Sequence, residues 1–478
     1  MFVVCKVFLA SNGNFRSFSR VSGLPNFLKT RKVGMLGTHC FHYLTKGIEN
    51  AEILDPSITM YIEDGNATFY NLKQSPTTFK EICEKNFDIS TSGKKNVIFS
   101  TDMYFPRSVK SQERERRGCG EKRIIKGVNT RRPESWTEFL TNEENKKQLI
   151  NLIQQTWEGD DFHSKLKNKS VILINEGKAM KLSSENDSRE VSKIEIPCLL
   201  SNQEETDKRV ILYSFYAEEN GFQEVCVRSP DSDIFFILLH FVRSIRANIF
   251  FDTGNGNNRR LLDITKLANN FTKKRCTALL ALHAFTRCDT TSAFKGIGKV
   301  KPIKILEKNS EFEEVFCKVG QCWDVTEDIF KGLEEFTCSM YGSMRIKDVD
   351  EVRAMLIKKK CGQNSDKLDA KKNVDLAKLP PPRRCLREHI KRTNYQVAIW
   401  KRANIAICDV PEANEDNNGW MLVNGKLEPC WCEGEILPMR IADILFENME
   451  EDIFEDDEED YEVSEEEGEV ASESEDDD

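Results

Sequence analysis

Acidic residues recur in this sequence where apolar, β-favouring runs end and where helices are expected to begin or end. Asp64 and Asp102 follow the first two such runs, and Asp231 follows a later one. Carboxylates brought together repel one another unless cations neutralise them, and Mg²⁺ and Mn²⁺ are cations that prefer carboxylate oxygen. The chain therefore carries the residue types of a divalent-metal site. The candidate ligands are Asp64, Asp102, Glu204, Glu205, Asp207, Asp231, Asp233 and Asp289.

The local spacing of these acids favours the same interpretation. Asp231 and Asp233 are two residues apart, so their side chains point the same way from an extended segment. Glu204 and Asp207 are three apart and share one face of a helix. Taken singly, each acid is more often a helix cap or a solvated turn residue than a metal ligand. The metal interpretation therefore depends on all of them converging.

Strands and helices that alternate along the chain must position these acids. Strands are expected at 58–63, 97–99, 171–174, 224–228, 249–252 and 260–264, and helices at 134–157, 204–219, 266–271, 276–285 and 385–402. This alternation predicts an α/β fold with a mainly parallel central sheet flanked by helices. In such a sheet, residues just beyond the carboxyl ends of the strands meet in one crevice.

Five short motifs carry the acids in a definite order. They are Tyr61-Ile62-Glu63-Asp64-Gly65-Asn66, Phe99-Ser100-Thr101-Asp102, Glu205-Thr206-Asp207, Asp231-Ser232-Asp233, and the apolar helix that ends in Thr286-Arg287-Cys288-Asp289. Lys295-Gly296-Ile297-Gly298-Lys299 follows them. In order and motif type, residues 58–306 resemble the flap endonuclease group of the PIN-like nuclease fold, which also has a Gly-Ile-Gly hairpin after its last acid.

This resemblance implies a PIN-like domain at 51–345 and a structure-sensing nuclease that acts on DNA. It also implies that two Mg²⁺ or Mn²⁺ ions activate a water and stabilise in-line phosphodiester cleavage. The residues it marks as catalytic metal ligands are Asp64, Asp102, Glu205, Asp207, Asp231, Asp233 and Asp289, with Glu204 as a further metal ligand.

A second likeness is closer and leaves another function open. Uncharacterised animal proteins, often suspected of descent from mobile elements, share Glu204-Glu205-x-Asp207, Ser229-Pro230-Asp231-x-Asp233, Cys288-Asp289-Thr290-Thr291-Ser292-Ala293-Phe294 and the Asn394-Tyr395-Gln396 region. They have no established activity. The alternative function is therefore a catalytically inactive module on a PIN-like fold that binds nucleic acid or protein, such as a domesticated transposon product.

A basic insertion at 107–132 follows Asp102 directly and holds ten basic and three acidic residues. One interpretation is an element that grips a nucleic-acid strand over the metal site, and the other is a mobile basic loop. The stretch could also serve as a nuclear import signal. The expected nucleic-acid contacts in it are Lys110, Arg114, Arg116 and Arg117.

The glycine hairpin has a physical role of its own within a helix-hairpin-helix-like element at 280–306. Gly296 and Gly298 would let backbone amides approach a phosphate, and Lys299 would add positive charge. The alternative interpretation is an ordinary turn between two helices, with its lysines in solvent, and it has nearly the same weight as phosphate binding.

Charge is divided unevenly along the 478 residues. The net charge is -10, but residues 450–478 hold 19 of the 79 acids and no Lys or Arg, leaving 60 acids against 69 basic residues elsewhere. The net positive charge of the chain outside this tail favours a nucleic-acid partner. The acidic tail, expected to be disordered at 448–478, could compete with phosphate or bind a protein partner.

The remaining expectations concern organisation and location. A basic extension at 1–50 precedes the PIN-like domain, and a helical module at 346–447 follows it. The 16 Cys are scattered singly, which favours a reduced intracellular protein, and no apolar run is long enough to span a membrane. The expected location is nuclear, with cytoplasmic as the second choice.

Overall fold

The computed structural model describes residues 40–72, 76–361, 376–415 and 418–432. The acidic tail at 448–478 and most of the N-terminal extension at 1–50 lie outside the described residues. The described residues all belong to one compact unit. In the described ranges, no helix is long and apolar enough to cross a membrane.

The described chain is an α/β structure with a mostly parallel central sheet, which confirms the predicted fold class at this level. Its strands are β1 (Thr59–Asp64), β2 (Asn96–Ser100), β3 (Ser170–Asn175), β4 (Lys178–Ser183), β5 (Ser192–Glu195), β6 (Glu224–Arg228), β7 (Asn248–Thr253) and β8 (Arg260–Asp263). The spatial order is β5-β4-β3-β2-β1-β6-β7-β8. The central strands β3, β2, β1, β6 and β7 are parallel, and β4, β5 and β8 extend the sheet with antiparallel pairing.

Helices cover both faces of this sheet. They are α1 (Gly65–Tyr70), α2 (Phe79–Thr91), α3 (Val109–Arg117), α4 (Trp136–Thr141), α5 (Glu143–Trp157), α6 (His163–Leu166), α7 (Thr206–Glu219), α8 (Ser232–Phe241), α9 (Ile264–Ala268), α10 (Lys273–Thr286), α11 (Val300–Lys308), α12 (Ser310–Lys318), α13 (Glu327–Met340), α14 (Val349–Cys361) and α15 (Arg383–Lys401).

The sheet has a hydrophobic core on each face because successive side chains of a strand point in opposite directions. In β1, Ile62 belongs to the core beneath α7, α8 and α10, whereas Tyr61 belongs to the core beneath α2 and α5. Both faces of β1 are therefore buried, which explains why Met60, Tyr61 and Ile62 are apolar in succession.

Helix α15 joins the main core through α10. His389 Nε2 lies 2.8 Å from the Phe285 carbonyl oxygen, and Trp400 is almost fully buried. Asn394 accepts a hydrogen bond from the Gly320 N–H at 2.7 Å and donates to the Trp323 carbonyl oxygen at 2.7 Å. Residues on the two sides of position 345 therefore share one core.

Among the differences from the sequence prediction, two have a clear local cause. The single helix expected at 134–157 is divided at Asn142, because its side chain accepts from the N–H groups of Glu144 and Asn145 and starts α5. A hairpin that was not predicted joins β9 (Trp420–Val423) to β10 (Lys426–Pro429). Asn424 and Gly425 form its turn at φ 52° and 77°, so Asn-Gly was a turn signal present in the sequence.

Candidate metal centre

The carboxyl ends of three central strands bring Asp64, Asp102 and Asp231 to one edge of the sheet. Strand β1 pairs in parallel with β2 and β6, with Asp64 opposite Ser100 and Glu63 opposite Arg228. Asp64 ends β1, and Asp102 follows β2 by two residues. The loop after β6 carries the next acids into α8. The strand-end rule therefore accounts for where the site lies.

Three aspartates form the tightest carboxylate group at this edge. Asp207 lies in the first turn of α7, Asp231 caps the N-terminus of α8, and Asp233 lies in the first turn of α8. One carboxylate oxygen from each residue lies within 4.8 Å of the other two. Three hard oxygen ligands at this separation could hold a divalent cation. We call this group the aspartate triad.

Asp64 and Asp102 extend the acidic edge beside the triad. Asp64 accepts hydrogen bonds from the Ala67 N–H at 3.1 Å and from Ser229 Oγ at 3.0 Å. Asp102 accepts from the Thr206 N–H at 2.9 Å. These two acids therefore have local structural roles, one as the cap of α1 and the other as a tie to the start of α7.

Burial and mutual repulsion raise the pKa of most of these acids. Burial, followed by the charge of Asp233, raises the pKa of Asp231 to about 8. Burial and the charge of Asp289 raise the pKa of Asp233 to about 7, and burial and Asp102 raise that of Asp64 to about 7. A divalent cation is the kind of charge that would reverse these shifts.

The other acids of the edge divide between raised and lowered pKa values. Burial and Glu205 raise the pKa of Asp207 well above its usual range, and burial raises that of Glu204. Burial also acts to raise the pKa of Asp102, but its neighbouring cations and the Thr206 N–H outweigh it and lower that pKa. The pKa of Asp289 is lowered, chiefly by Lys110.

Helix α3 provides several of these cations. Lys110 Nζ lies 2.5 Å from Glu205 and 3.3 Å from Asp289. Arg117 also pairs with Asp289, at 3.0 Å. Lys110 is nearly buried, and these acids raise its pKa well above the usual range despite burial. Two of the predicted nucleic-acid contacts therefore point into the acidic edge.

The remaining basic residues of α3 behave differently from each other. Arg114 bridges Glu204 at 3.0 Å and Glu143 at 3.2 Å, with Asp102 at 3.8 Å. Arg116 is 42% exposed at its side chain and pairs only within the helix, with Glu113 at 3.5 Å. Arg116 is thus more exposed to solvent than Arg114.

The C-terminal hairpin holds α3 from its other side. Lys426 of β10 lies 2.9 Å from Glu115 of α3. Val109, at the start of α3, packs against the small hydrophobic cluster that contains Tyr395 and Trp420. The basic helix is therefore fixed between the acidic edge and the C-terminal part of the fold.

The glycine hairpin has an open backbone, but its lysine is buried. Gly296 has φ 83°, which favours glycine, and a side chain at Gly298 would meet nothing within 4 Å. Lys299, expected to contact nucleic acid, is only 9% exposed. Its ammonium instead lies 2.7 Å from His283 Nδ1 and 2.6 Å from the Arg287 carbonyl oxygen. The structure does not present this lysine to solvent, because the hairpin folds back over α10.

Arg209 is a buried residue of the site that sequence reasoning missed. It is fully buried in α7 and donates to the carbonyl oxygens of Thr101 and Glu205. The Thr101 carbonyl immediately precedes Asp102, and the Glu205 carbonyl belongs to the N-cap of α7. One guanidinium therefore braces two acid-bearing loops. Its position two residues after Asp207 was the only signal in the sequence.

Substituting Arg209→Met is expected to lower the free energy of unfolding by about 2 to 5 kcal/mol, because it leaves two buried carbonyls without their donor. Arg246→Met is the matched control, since Arg246 pairs with Glu218 on the surface and should cost at most about 1 kcal/mol. Urea unfolding of both variants measures the difference. Equal losses would contradict the bracing role.

No protein-family model matches the chain, and comparison with curated proteins gave no match. The chemistry open to the site follows from its own residues: oxygen ligands at the carboxyl edge of an α/β sheet, partly neutralised by a basic helix.

Proposed function

We propose that this protein is a divalent-metal-dependent phosphodiesterase that cuts DNA with a structure-sensing nuclease site on a PIN-like fold. The observation that carries the proposal is the aspartate triad, whose oxygens lie within 4.8 Å of one another. Asp64 and Asp102 on the same edge and the mostly parallel sheet support it. The proposed family is the flap endonuclease group named above for its motif order.

The donor set fits Mg²⁺ or Mn²⁺, because it consists of carboxylate oxygens that the basic helix neutralises only in part. Asp207, Asp231 and Asp233 would hold one ion, and Asp64 and Asp102 would contribute to a second. Bound there, the ions would supply Lewis acidity for a water nucleophile and for both oxygens of an in-line displacement.

The protein's own residues would prepare this edge for a phosphodiester. Carboxylates must be deprotonated to bind metal, so Asp231 and Asp233 would release protons when an ion binds. Lys110, Arg114 and Arg117 would then lose part of their attraction to the acids. A phosphate brought to the edge would find these cations beside it, and their charge would hold the backbone in place.

The second candidate is an inactive nucleic-acid or protein interaction module. The observation that favours it is the set of ion pairs from α3, because Lys110 lies between Glu205 and Asp289 and partly neutralises the edge without any metal. The nuclear location and a protein partner for the acidic tail stay predictions.

Cleavage assays separate the two candidates. Labelled flap, single-stranded and duplex DNA, with matching RNA strands, would be incubated with the full chain in Mg²⁺, Mn²⁺ or EDTA. We expect cleavage of DNA that requires the metal and prefers a junction or free end. Binding without cleavage in both metals would favour the interaction module, and cleavage confined to RNA would overturn the DNA assignment.

A further inference from the structure

Behind the aspartate triad lies a buried chain of polar groups that leads from the glycine hairpin to Asp233. His283 Nε2 lies 2.8 Å from Asp233 Oδ1, and Lys299 Nζ lies 2.7 Å from His283 Nδ1. The three residues are between 3% and 9% exposed. Neither the histidine nor the lysine is among the proposed metal ligands or the cations of α3.

The hydrogen-bonding partners of Lys299 determine which nitrogen of His283 carries the proton. An ammonium group has three protons and no acceptor site. Its partners are His283 Nδ1, the His283 carbonyl oxygen at 2.9 Å and the Arg287 carbonyl oxygen at 2.6 Å. Nδ1 must therefore accept, which leaves the proton on Nε2, where it is donated to Asp233.

The charge states agree with this arrangement. Burial lowers the pKa of Lys299 to about 8, so the lysine keeps its proton at pH 7. Because Nδ1 accepts from the lysine and Nε2 donates to Asp233, the His283 ring carries one proton and is neutral. One buried positive charge therefore lies one imidazole away from Asp233.

Packing keeps the imidazole in place. The His283 ring stacks on Phe236 with centroids 4.1 Å apart, and Trp400 lies at 6.0 Å. Phe236 is on α8, the helix that also carries Asp233, whereas His283 is on α10. The ring therefore fixes the rotation of α10 against the helix that presents the acid.

We propose that His283 and Lys299 are positioning residues of the metal site: the lysine fixes the Nε2-protonated tautomer of His283, which orients the carboxylate of Asp233 toward those of Asp207 and Asp231. The inference deepens the proposed function and rests on it for the metal-binding role. It also gives Lys299 a different partner from the phosphate expected from the sequence. Because Lys299 directly follows Gly298, His283 and Lys299 connect the glycine hairpin to the metal site.

Mn²⁺ binding to the full chain tests the positioning role, with calorimetry as the readout. His283→Gln can still donate an N–H to Asp233, whereas His283→Leu cannot, and both remove the ring stacked on Phe236. We expect His283→Gln to keep Mn²⁺ affinity within about threefold and His283→Leu to lose about tenfold to a hundredfold. Unfolding free energies of both variants show whether their stabilities are comparable. Equal Mn²⁺ affinities in the two variants would overturn the proposal.

The tautomer can be observed without metal, which separates this inference from the proposed function. In histidine-labelled protein, ¹⁵N shifts and couplings of the six His rings would be recorded, with His283→Gln identifying the signal. We expect a protonated Nε2 and an unprotonated Nδ1, and we expect Lys299→Met to remove that preference. A proton on Nδ1 in the unsubstituted protein would overturn the inference. If the unsubstituted protein binds no Mn²⁺, the metal-site proposal fails, and with it the role in metal positioning, whatever the tautomer.

Discussion

Replacing Asp231 and Asp233 together by asparagine is expected to lower metal-dependent cleavage by about a thousandfold or more and to remove Mn²⁺ binding at the triad. The two residues supply two of the three carboxylates of the triad. Asparagine keeps an oxygen and much of the shape but not the negative charge on which hard-cation binding depends. Cleavage rates and Mn²⁺ titrations of the purified variant measure both losses.

A control for this double variant exists elsewhere in the chain. Glu185 and Asp187 are also two residues apart, and both are exposed in the loop between β4 and β5. Glu185→Gln with Asp187→Asn changes the net charge by the same amount away from the site. This control should cut and bind Mn²⁺ like the unsubstituted protein. Cleavage that persists in Asp231→Asn, Asp233→Asn would place the chemistry elsewhere.

Without metal, the same double variant is expected to be more stable than the unsubstituted protein, by an amount that grows as the pH rises from about 4 to about 8. Asp231 and Asp233 have pKa values of about 8 and about 7, raised from 3.8. A raised folded-state pKa gives stability that is fully present below the unfolded pKa and is lost as the pH rises through the folded pKa. The difference at pH 8 should be on the order of several kcal/mol.

Denaturant unfolding of both proteins in EDTA at several pH values measures this difference. Burial lowers the pKa values of His240 and His389 to about 4 and about 3, which makes the free energy of unfolding rise with pH. Both proteins contain these two residues. Their effect cancels in the difference. Excess Mn²⁺ should stabilise only the protein that keeps the aspartates, by about 2.7 kcal/mol at a hundred times Kd. A difference that does not change with pH would contradict the repulsion within the triad.

The sequence predicted the α/β class and the edge where the acids meet because both depend on local patterns. Apolar runs mark the strands, and Asp64, Asp102 and Asp231 follow strands whose carboxyl ends lie side by side. The parallel order then leaves little freedom for the acids. The PIN-like identity of this edge stays a proposal.

Residues whose roles depend on distant partners could not be predicted in the same way. Lys110 lies in a run of basic residues typical of a nucleic-acid contact, yet its partner Asp289 is 179 positions away. Lys299 follows a glycine turn that suggests solvent exposure, but the fold buries it against His283. A single sequence shows the charges of these residues and not the surfaces that enclose them.

Anomalous diffraction from Mn²⁺-soaked crystals of the full chain tests the central claim most directly, because it locates the ion itself. The account predicts a manganese peak bound by Asp207, Asp231 and Asp233, with a second site near Asp64 and Asp102. The ammonium of Lys110 should then be displaced from at least one of its carboxylate partners. Absence of manganese from this edge at saturating concentration, with Lys110 still paired to Glu205 and Asp289, would contradict the account.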